Sequence, residues 1–300
     1  MARLKLEGNF AAIVTPFRDG RIDEKRFAQQ IERQIRAGVS GLVPCGTTGE
    51  SATLTHEEHD RVIELTIRFA RGRVPVMAGT GSNSTEEAIR LTRKAANAGA
   101  DCALLIAPYY NKPTQAGLVE HYRAIARAVK IPLVVYNIPG RTGINIQPQT
   151  LAKLADVKNI AGLKDASGSL DYISELTALT GSRFAVLAGD DSLTLPMMSL
   201  GATGVICASS NVLPAEYSQL CKFALAGKYE QARKLHHRIY PLTKALFAET
   251  NPIAVKAAME LMGLDSGDLR LPLYPASKAT RDLLKTELKK LGKLGTKGGK

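Results

Sequence analysis

Eight short apolar runs rich in β-branched residues recur along this chain, and a charged segment of helical period separates each run from the next. Strict alternation of strands and helices favours parallel pairing with right-handed crossovers. Eight such units favour a closed α/β barrel, the (β/α)8 or TIM barrel, over an open doubly wound sheet, and no Gly-x-Gly-x-x-Gly follows the first strand as a dinucleotide-binding fold requires. The runs lie at residues 11–14, 41–44, 74–78, 102–107, 131–136, 160–163, 184–188 and 204–207.

Helix signals support this interpretation. Thr55 and Glu58 form a predicted capping box, Ser84 precedes a second acidic helix start, and Gly38 is placed to end the first helix. Three further helical segments follow the last strand, at residues 229–247, 252–262 and 276–291. We therefore predict a barrel over residues 1–226, a small C-terminal helical domain over 227–291 and a disordered basic tail over 292–300.

The net charge of +12 could indicate nucleic-acid binding, but half of it is concentrated near the C-terminus. Residues 278–300 hold eight Lys and Arg residues against Asp282 and Glu287. No basic patch interleaved with aromatic residues accompanies the charge. We therefore expect a solvated tail and no nucleic-acid partner.

The four cysteines lie far apart, with no Cys-x-x-Cys pair and no histidine at metal spacing, so we expect free thiols in the cytoplasm and no metal. Lys5 and Glu7 interrupt the N-terminus, which argues against a signal peptide. The uncharged stretch 192–215 is long enough to span a bilayer, but it contains Pro196 and Pro214 and many polar residues. We expect it to form buried helix, strand and loop, without membrane contact. The cysteines are Cys45, Cys102, Cys207 and Cys221.

Lys164 directly follows the apolar run 160–163. In a barrel, a residue at the carboxyl end of a buried strand lies where reacting groups collect. Burial disfavours the ammonium form and can release a neutral amine for Schiff-base chemistry. The alternative is a lysine that points into solvent.

Other strand ends also carry reactive groups. The second ends in Gly46-Thr47-Thr48-Gly49-Glu50-Ser51, whose hydroxyls and small residues suit a carboxylate, while a phosphate loop would need a lysine after its second glycine. Tyr110 and Tyr136 could relay protons or simply fill a core. The Arg141 guanidinium matches a carboxylate, or forms a surface ion pair.

The hydroxyl loop, the segment 136–143 (YNIPGRTG) and the segment 162–168 (GLKDASG) together resemble the dihydrodipicolinate synthase family. That family belongs to the pyruvate-dependent class I lyase superfamily, which also includes N-acetylneuraminate lyase. The resemblance runs from about residue 9 to residue 291. It implies a homotetrameric enzyme, a dimer of dimers, that needs no separate cofactor.

The resemblance implies that Lys164 forms an imine with pyruvate and that the resulting enamine attacks L-aspartate 4-semialdehyde. Cyclisation then gives 4-hydroxy-tetrahydrodipicolinate, on the route to lysine and diaminopimelate. Tyr136 would transfer protons, linked through Thr47 to Tyr110 from a neighbouring subunit. Thr48 would hold the pyruvate carboxylate and Arg141 that of the semialdehyde, and the remaining pocket-lining backbone positions would be Gly189 and Ile206.

A second set of residues matches the feedback site of lysine-sensitive family members, which implies inhibition by L-lysine. The alternative for its histidines is a capped helix with solvated side chains. For the whole chain, the alternatives are a related pyruvate aldolase with another aldehyde, or a barrel that serves as a binding or regulatory protein. The residues of this second set are Ser51, Ala52, His56, His59, Asn83, Glu87 and Tyr109.

Overall fold

The computed structural model describes residues 4–294. Eight parallel strands form one sheet, and most of their side chains are buried because helices cover the outer face and side chains fill the interior. The strands are β1 (Gly8–Ala12), β2 (Gly41–Val43), β3 (Met77–Gly79), β4 (Cys102–Ile106), β5 (Leu133–Asn137), β6 (Ile160–Asp165), β7 (Ala185–Ala188) and β8 (Gly204–Cys207).

The strands follow the order β2-β1-β8-β7-β6-β5-β4-β3. The two ends of this series meet, since Leu42 of β2 forms a parallel bridge with Val76 just before β3. The predicted (β/α)8 barrel is confirmed. The first strand begins earlier than its apolar run, because Gly8 and Asn9 pair with Gly204 and Val205 of β8.

Helices connect the strands and form the outer layer. The predicted capping box is present: the Thr55 side chain accepts from the Glu58 amide, and the Glu58 carboxylate accepts from the Thr55 amide at 3.0 Å. The helices are α1 (Glu24–Arg36), α2 (His56–Ala70), α3 (Thr85–Ala98), α4 (Gln115–Ala128), α5 (Pro148–Ala155), α6 (Leu170–Thr180), α7 (Thr194–Ser199) and α8 (Pro214–Leu225).

Shorter elements lie in the loops, most of them at the carboxyl ends of the strands. A two-stranded hairpin follows β1, a four-residue helix follows β5, and 3-10 turns follow β2, β7 and β8. The uncharged stretch 192–215 forms α7, β8 and the start of α8 as predicted. Within residues 4–294, no helix is long and apolar enough to cross a membrane.

Strand alternation divides the apolar residues into two layers. On β6, Leu163 packs outward among the helices, whereas its neighbour Lys164 points to the barrel interior. The interior layer includes Phe10, Met77 and Leu187. This alternation places the lysine inside the barrel, one residue before the strand ends.

Three C-terminal helices, α9 (Tyr229–Ala245), α10 (Ile253–Leu261) and α11 (Lys278–Lys290), pack against the barrel. They share one continuous apolar cluster with α8, in which Leu242 and Leu284 are fully buried. The predicted tail starts at residue 292, but Lys293 forms an ion pair with Glu216 at 2.5 Å. The remainder of that predicted tail, residues 295–300, lies outside the described residues.

Candidate active site

A cavity of about 670 Å³ opens at the carboxyl ends of the strands. The strand-end loops and the region after α9 form its walls. Seven of the eight residues predicted for catalysis and substrate binding line it, although they come from five different strand ends. These are Thr47, Thr48, Tyr136, Arg141, Lys164, Gly189 and Ile206.

Lys164 lines this cavity. It is only 7% exposed, and its Nζ lies 4.2 Å from the centre of the Tyr136 ring. Burial lowers the pKa of Lys164 from 10.5 to about 8, although the nearby Asp191 and Cys207 oppose this change. About a tenth of the amine is therefore neutral at pH 7, so Lys164 can act as a nucleophile.

Tyr136 pairs directly with Lys164 in the β5–β6 register. Burial raises the pKa of its hydroxyl above the ordinary value, and the positive charge of Arg141 only partly offsets this effect. Thr47 also lowers the pKa of Tyr136. The hydroxyl therefore stays protonated at neutral pH and can donate its proton to a group that becomes more basic during a reaction.

The next pair of residues along β5 and β6 holds the ends of these two strands together. Asn137 and Asp165 are in register, and Asn137 Nδ2 donates to Asp165 Oδ1 at 2.9 Å. The second oxygen of Asp165 accepts from the Ser167 amide at 3.1 Å. Because both side chains are buried, this bond restricts the relative movement of the strands that carry Tyr136 and Lys164.

The hydroxyl loop after β2 forms a 3-10 turn over Thr47–Gly49, with Thr48 buried. Thr48 Oγ1 accepts from Asn251 Nδ2 at 2.9 Å. The carbonyl oxygen of Asn251 in turn accepts from Arg141 Nη2 at 3.0 Å. Asn251 therefore connects the two groups that suit carboxylates.

Sequence reasoning missed Asn251 and the rest of this wall, which comes from the end of α9 and the loop after it. No local motif marks these residues, because they reach the cavity only through the packing of the C-terminal helices. Two residues after β7 were missed as well. The additional lining residues include Asp190, Ser192, Lys244, Phe247, Glu249 and Asn251.

Tyr110 is the predicted catalytic residue that does not reach the cavity of its own chain. It is 89% exposed, and its backbone adopts a positive φ of 71°, a left-handed conformation that is uncommon for a tyrosine. Its side chain is therefore available to a surface outside its own active-site cavity.

A second cavity, of about 470 Å³, lies on the other side of the hydroxyl loop. It brings together six of the seven residues predicted for lysine binding, and Asn83 lies beside them because its Nδ2 donates to the Tyr109 carbonyl oxygen at 3.2 Å. Thr47, Arg141 and Asn251 line both cavities, so the two share a wall. The six lining residues are Ser51, Ala52, His56, His59, Glu87 and Tyr109.

Polar contacts in the second cavity join α2 to α3. Arg90 donates to His56 Nδ1 at 2.6 Å, which leaves His56 Nε2 to donate to the Glu87 carboxylate at 3.3 Å. Burial lowers the pKa of His59, whose Nε2 lies 2.9 Å from the Gly79 carbonyl oxygen. The cavity therefore presents the Glu87 carboxylate beside the imidazole rings of His56 and His59. Within residues 4–294, no cluster of three or more His, Cys, Asp or Glu residues could hold a metal ion.

A buried lysine of lowered pKa, beside a protonated tyrosine at the carboxyl ends of barrel strands, defines the class of barrel lyases that bind carbonyl substrates as imines. The model of the Dihydrodipicolinate synthetase family matches residues 5–291. The chain belongs to this family, so the resemblance predicted from its motifs is confirmed.

Individual relatives agree. The 4-hydroxy-tetrahydrodipicolinate synthase of Syntrophus aciditrophicus is 55% identical, over 96% of this chain and 99% of its own length. The Acinetobacter baumannii dihydrodipicolinate synthase, solved with pyruvate, is 45% identical with a TM-score of 0.95, over 97% of this chain and 100% of that one. The Cyanidioschyzon merolae enzyme, solved with lysine bound, is 40% identical with a TM-score of 0.93, over 96% and 99%.

Proposed function

We propose that this chain condenses pyruvate with L-aspartate 4-semialdehyde, through an imine on Lys164, to give 4-hydroxy-tetrahydrodipicolinate. The observation that carries the proposal is the buried amine of Lys164 beside Tyr136, in one cavity with Thr48 and Arg141. Each substrate has one carboxylate, and the cavity offers two groups that suit carboxylates. The names of the relatives support this choice of substrates.

In the first stage the neutral Lys164 amine attacks the keto carbon of pyruvate, and water leaves as the imine forms. Tyr136 protonates the departing oxygen. Thr48 and the backbone amides of its turn hold the pyruvate carboxylate, while Gly189 and Ile206 line the cavity around it. The protonated imine then loses a proton from the pyruvate methyl group to the Tyr136 phenolate, which gives the neutral enamine and restores the Tyr136 hydroxyl.

In the second stage the enamine carbon attacks the aldehyde of the semialdehyde, whose carboxylate is held by Arg141. The new carbon–carbon bond leaves an alkoxide, which takes a proton from Tyr136. The amino group of the semialdehyde then attacks the imine carbon and displaces Lys164, which closes the ring and frees the enzyme. Every step uses the chain's own side chains, so the proposed mechanism requires no separate cofactor.

We further propose that the enzyme is a homotetramer, built as a dimer of dimers, in which Tyr110 completes the neighbouring subunit's proton relay through Thr47. The high exposure of Tyr110 in the single chain supports this role. Sedimentation of the protein alone, with Tyr110→Phe as the activity variant, tests it. A fully active monomer would contradict it. The cytoplasmic location inferred from the cysteines stays a prediction.

The second cavity is the proposed L-lysine site. Its acidic Glu87 suits an ammonium group, and its shared wall with the active site provides a physical route for inhibition. The lysine-bound relative from Cyanidioschyzon merolae supports the choice of ligand. Turnover that is unchanged in millimolar L-lysine would exclude this regulation.

The deciding experiment is turnover of pyruvate with L-aspartate 4-semialdehyde beside a panel of other aldehydes. We expect the highest kcat/KM for the semialdehyde. A higher value for another aldehyde would favour the related-aldolase alternative and would remove the assignment of Arg141. Failure to trap pyruvate on Lys164 with borohydride would favour a binding or regulatory barrel.

A further inference from the structure

A fully buried ion pair joins the hydroxyl loop to the C-terminal helices. Lys256 Nζ, on α10, lies 2.5 Å from Glu50 Oε1, at the end of the loop, and both side chains are completely shielded from solvent. The catalytic steps described above use neither residue. A buried ion pair is costly to desolvate and is therefore weak support for fold stability by itself.

The remaining polar capacity of the pair is satisfied by the segment between α10 and α11. Lys256 Nζ also donates to the Asp268 carbonyl oxygen at 2.6 Å, and Glu50 Oε2 accepts from the Arg270 amide at 3.1 Å. The centre of the Phe17 ring lies 4.4 Å from Lys256 Nζ, which adds a cation–π contact. Lys256 and the Arg270 amide therefore bind both carboxylate oxygens of Glu50.

Glu50 also has an unusual backbone. It adopts a left-handed conformation with a φ of 55° immediately after the Thr47–Gly49 turn, and its amide donates to the Thr47 carbonyl oxygen at 3.1 Å. A residue with a side chain seldom adopts this conformation unless its surroundings enforce it. The bonds from Lys256 and the Arg270 amide provide that enforcement.

The same C-terminal segment holds the loop at a second point. Asn251, which precedes α10, donates to Thr48 Oγ1 at 2.9 Å, and Lys256, on α10, holds Glu50 two residues further along the loop. Two attachments, one on each side of Gly49, fix both the position and the orientation of the turn. A shift of this turn would therefore strain the bonds at Thr48 and Glu50.

We infer that Glu50 and Lys256 are positioning residues for pyruvate. They hold the Thr47–Gly49 turn in the geometry that binds the pyruvate carboxylate. This inference rests on the proposed function, since it assumes that the turn binds the pyruvate carboxylate. Neither residue lines the cavity that contains Lys164. The ion pair affects pyruvate binding through Thr48. Binding of the semialdehyde by Arg141 should not depend on the ion pair.

The test compares Glu50→Gln, Lys256→Met and the double variant with the wild-type enzyme, each shown to be folded by circular dichroism. We expect the KM for pyruvate to rise about tenfold or more in each single variant, with the KM for the semialdehyde within about twofold of wild type. The double variant should be less impaired than the product of the single effects, because the two residues act as one unit.

Leu284→Ala is the matched control for lost stability. Leu284 is fully buried on α11 and belongs to the same C-terminal helices, but it does not line either cavity. Its truncation should lower the melting temperature and leave the KM for pyruvate unchanged. A KM for pyruvate that rises equally in this control would reduce the ion pair to an ordinary stabilising contact and overturn the inference.

Hydrogen exchange of the wild-type protein gives a readout that needs no variant. On addition of pyruvate, we expect peptides covering residues 47–51 and 253–258 to gain protection together. Protection confined to the first segment, or folded variants with the wild-type KM for pyruvate, would overturn the inference alone. A wild-type protein that forms no pyruvate adduct would overturn the proposed function as well.

Discussion

The amine of Lys164 lies 4.2 Å from the centre of the Tyr136 ring, on directly paired positions of neighbouring strands. The face of the Tyr136 ring therefore attracts the ammonium form of Lys164, although the ring carries no formal charge. Within residues 4–294, no carboxylate forms an ion pair with Lys164, whereas Lys256 has Glu50. Two lysines are therefore buried within residues 4–294, Lys164 in the barrel and Lys256 on α10, and only Lys256 has a carboxylate within ion-pairing distance.

Replacing Lys164 by methionine should stabilise the protein. The lowered pKa of Lys164, from 10.5 to about 8, corresponds to a cost of about 3 kcal/mol in the free energy of unfolding when the residue is charged. Because the folded-state pKa lies below the unfolded one, this cost is complete below about pH 8 and disappears as the pH rises towards 10.5. Urea denaturation of both proteins at several pH values measures it.

Lys256→Met is the contrasting control, because it leaves Glu50 buried without its partner. We expect it to lower the free energy of unfolding by about 3–5 kcal/mol.

Lys164→Met should also abolish borohydride trapping of pyruvate. A Lys164→Met protein that is less stable than wild type at neutral pH would contradict the predicted stabilisation.

The rate of imine formation should depend on pH through Lys164. Only the neutral amine attacks pyruvate, so the rate should rise with pH and level off above about 8, where the amine is mostly deprotonated. Single-turnover trapping with borohydride measures this rate directly. A rate that is constant from about pH 6 to about pH 9 would contradict the assignment.

Tyr136→Phe should keep pyruvate binding and lose rate. Because phenylalanine lacks the hydroxyl that donates protons, we expect kcat to fall about 10²–10⁴-fold. Tyr122→Phe is a suitable control, because Tyr122 is equally buried and lies outside the cavity. Equal losses in both variants would assign the effect to packing rather than to proton transfer.

Arg141→Ala should affect the semialdehyde more than pyruvate. The guanidinium lies at the wall of the cavity and donates to the Asn251 carbonyl oxygen. We expect a KM for the semialdehyde that is raised at least about tenfold, with a smaller change for pyruvate. Steady-state kinetics with each substrate varied in turn separates the two effects.

Glu87→Gln should weaken inhibition by L-lysine. The carboxylate faces the second cavity beside His56, and its charge suits the ammonium group of the inhibitor. The neighbouring Glu86 is exposed and does not line the cavity, so Glu86→Gln should leave inhibition unchanged. Dose–response curves at fixed pyruvate compare the variants, and equal curves would exclude a role for Glu87.

The sequence predicts the barrel well because its signal is local. Each apolar run is buried on both faces, and the alternation on β6 alone places Lys164 inside and Leu163 outside. Strand ends are less well predicted, since pairing rather than composition sets them. Gly8 and Asn9 join β1 only because β8 lies beside them.

The far wall of the cavity could not be predicted in this way. The bond between Thr48 and Asn251 joins residues 203 positions apart, and it depends on how the C-terminal helices pack against the barrel. The pairing of Glu50 with Lys256 depends on the same packing. Neither residue carries a local pattern that indicates its partner.

The shared wall of Thr47, Arg141 and Asn251 lets ligands in the two cavities affect each other's binding, and any such effect is reciprocal. If L-lysine weakens pyruvate binding by some factor, pyruvate must weaken L-lysine binding by the same factor, because the two routes to the doubly bound protein have equal free energy. Rising pyruvate would then release the inhibitor as well as feed the reaction. Abundant pyruvate would thus lessen the inhibition that a given concentration of L-lysine causes.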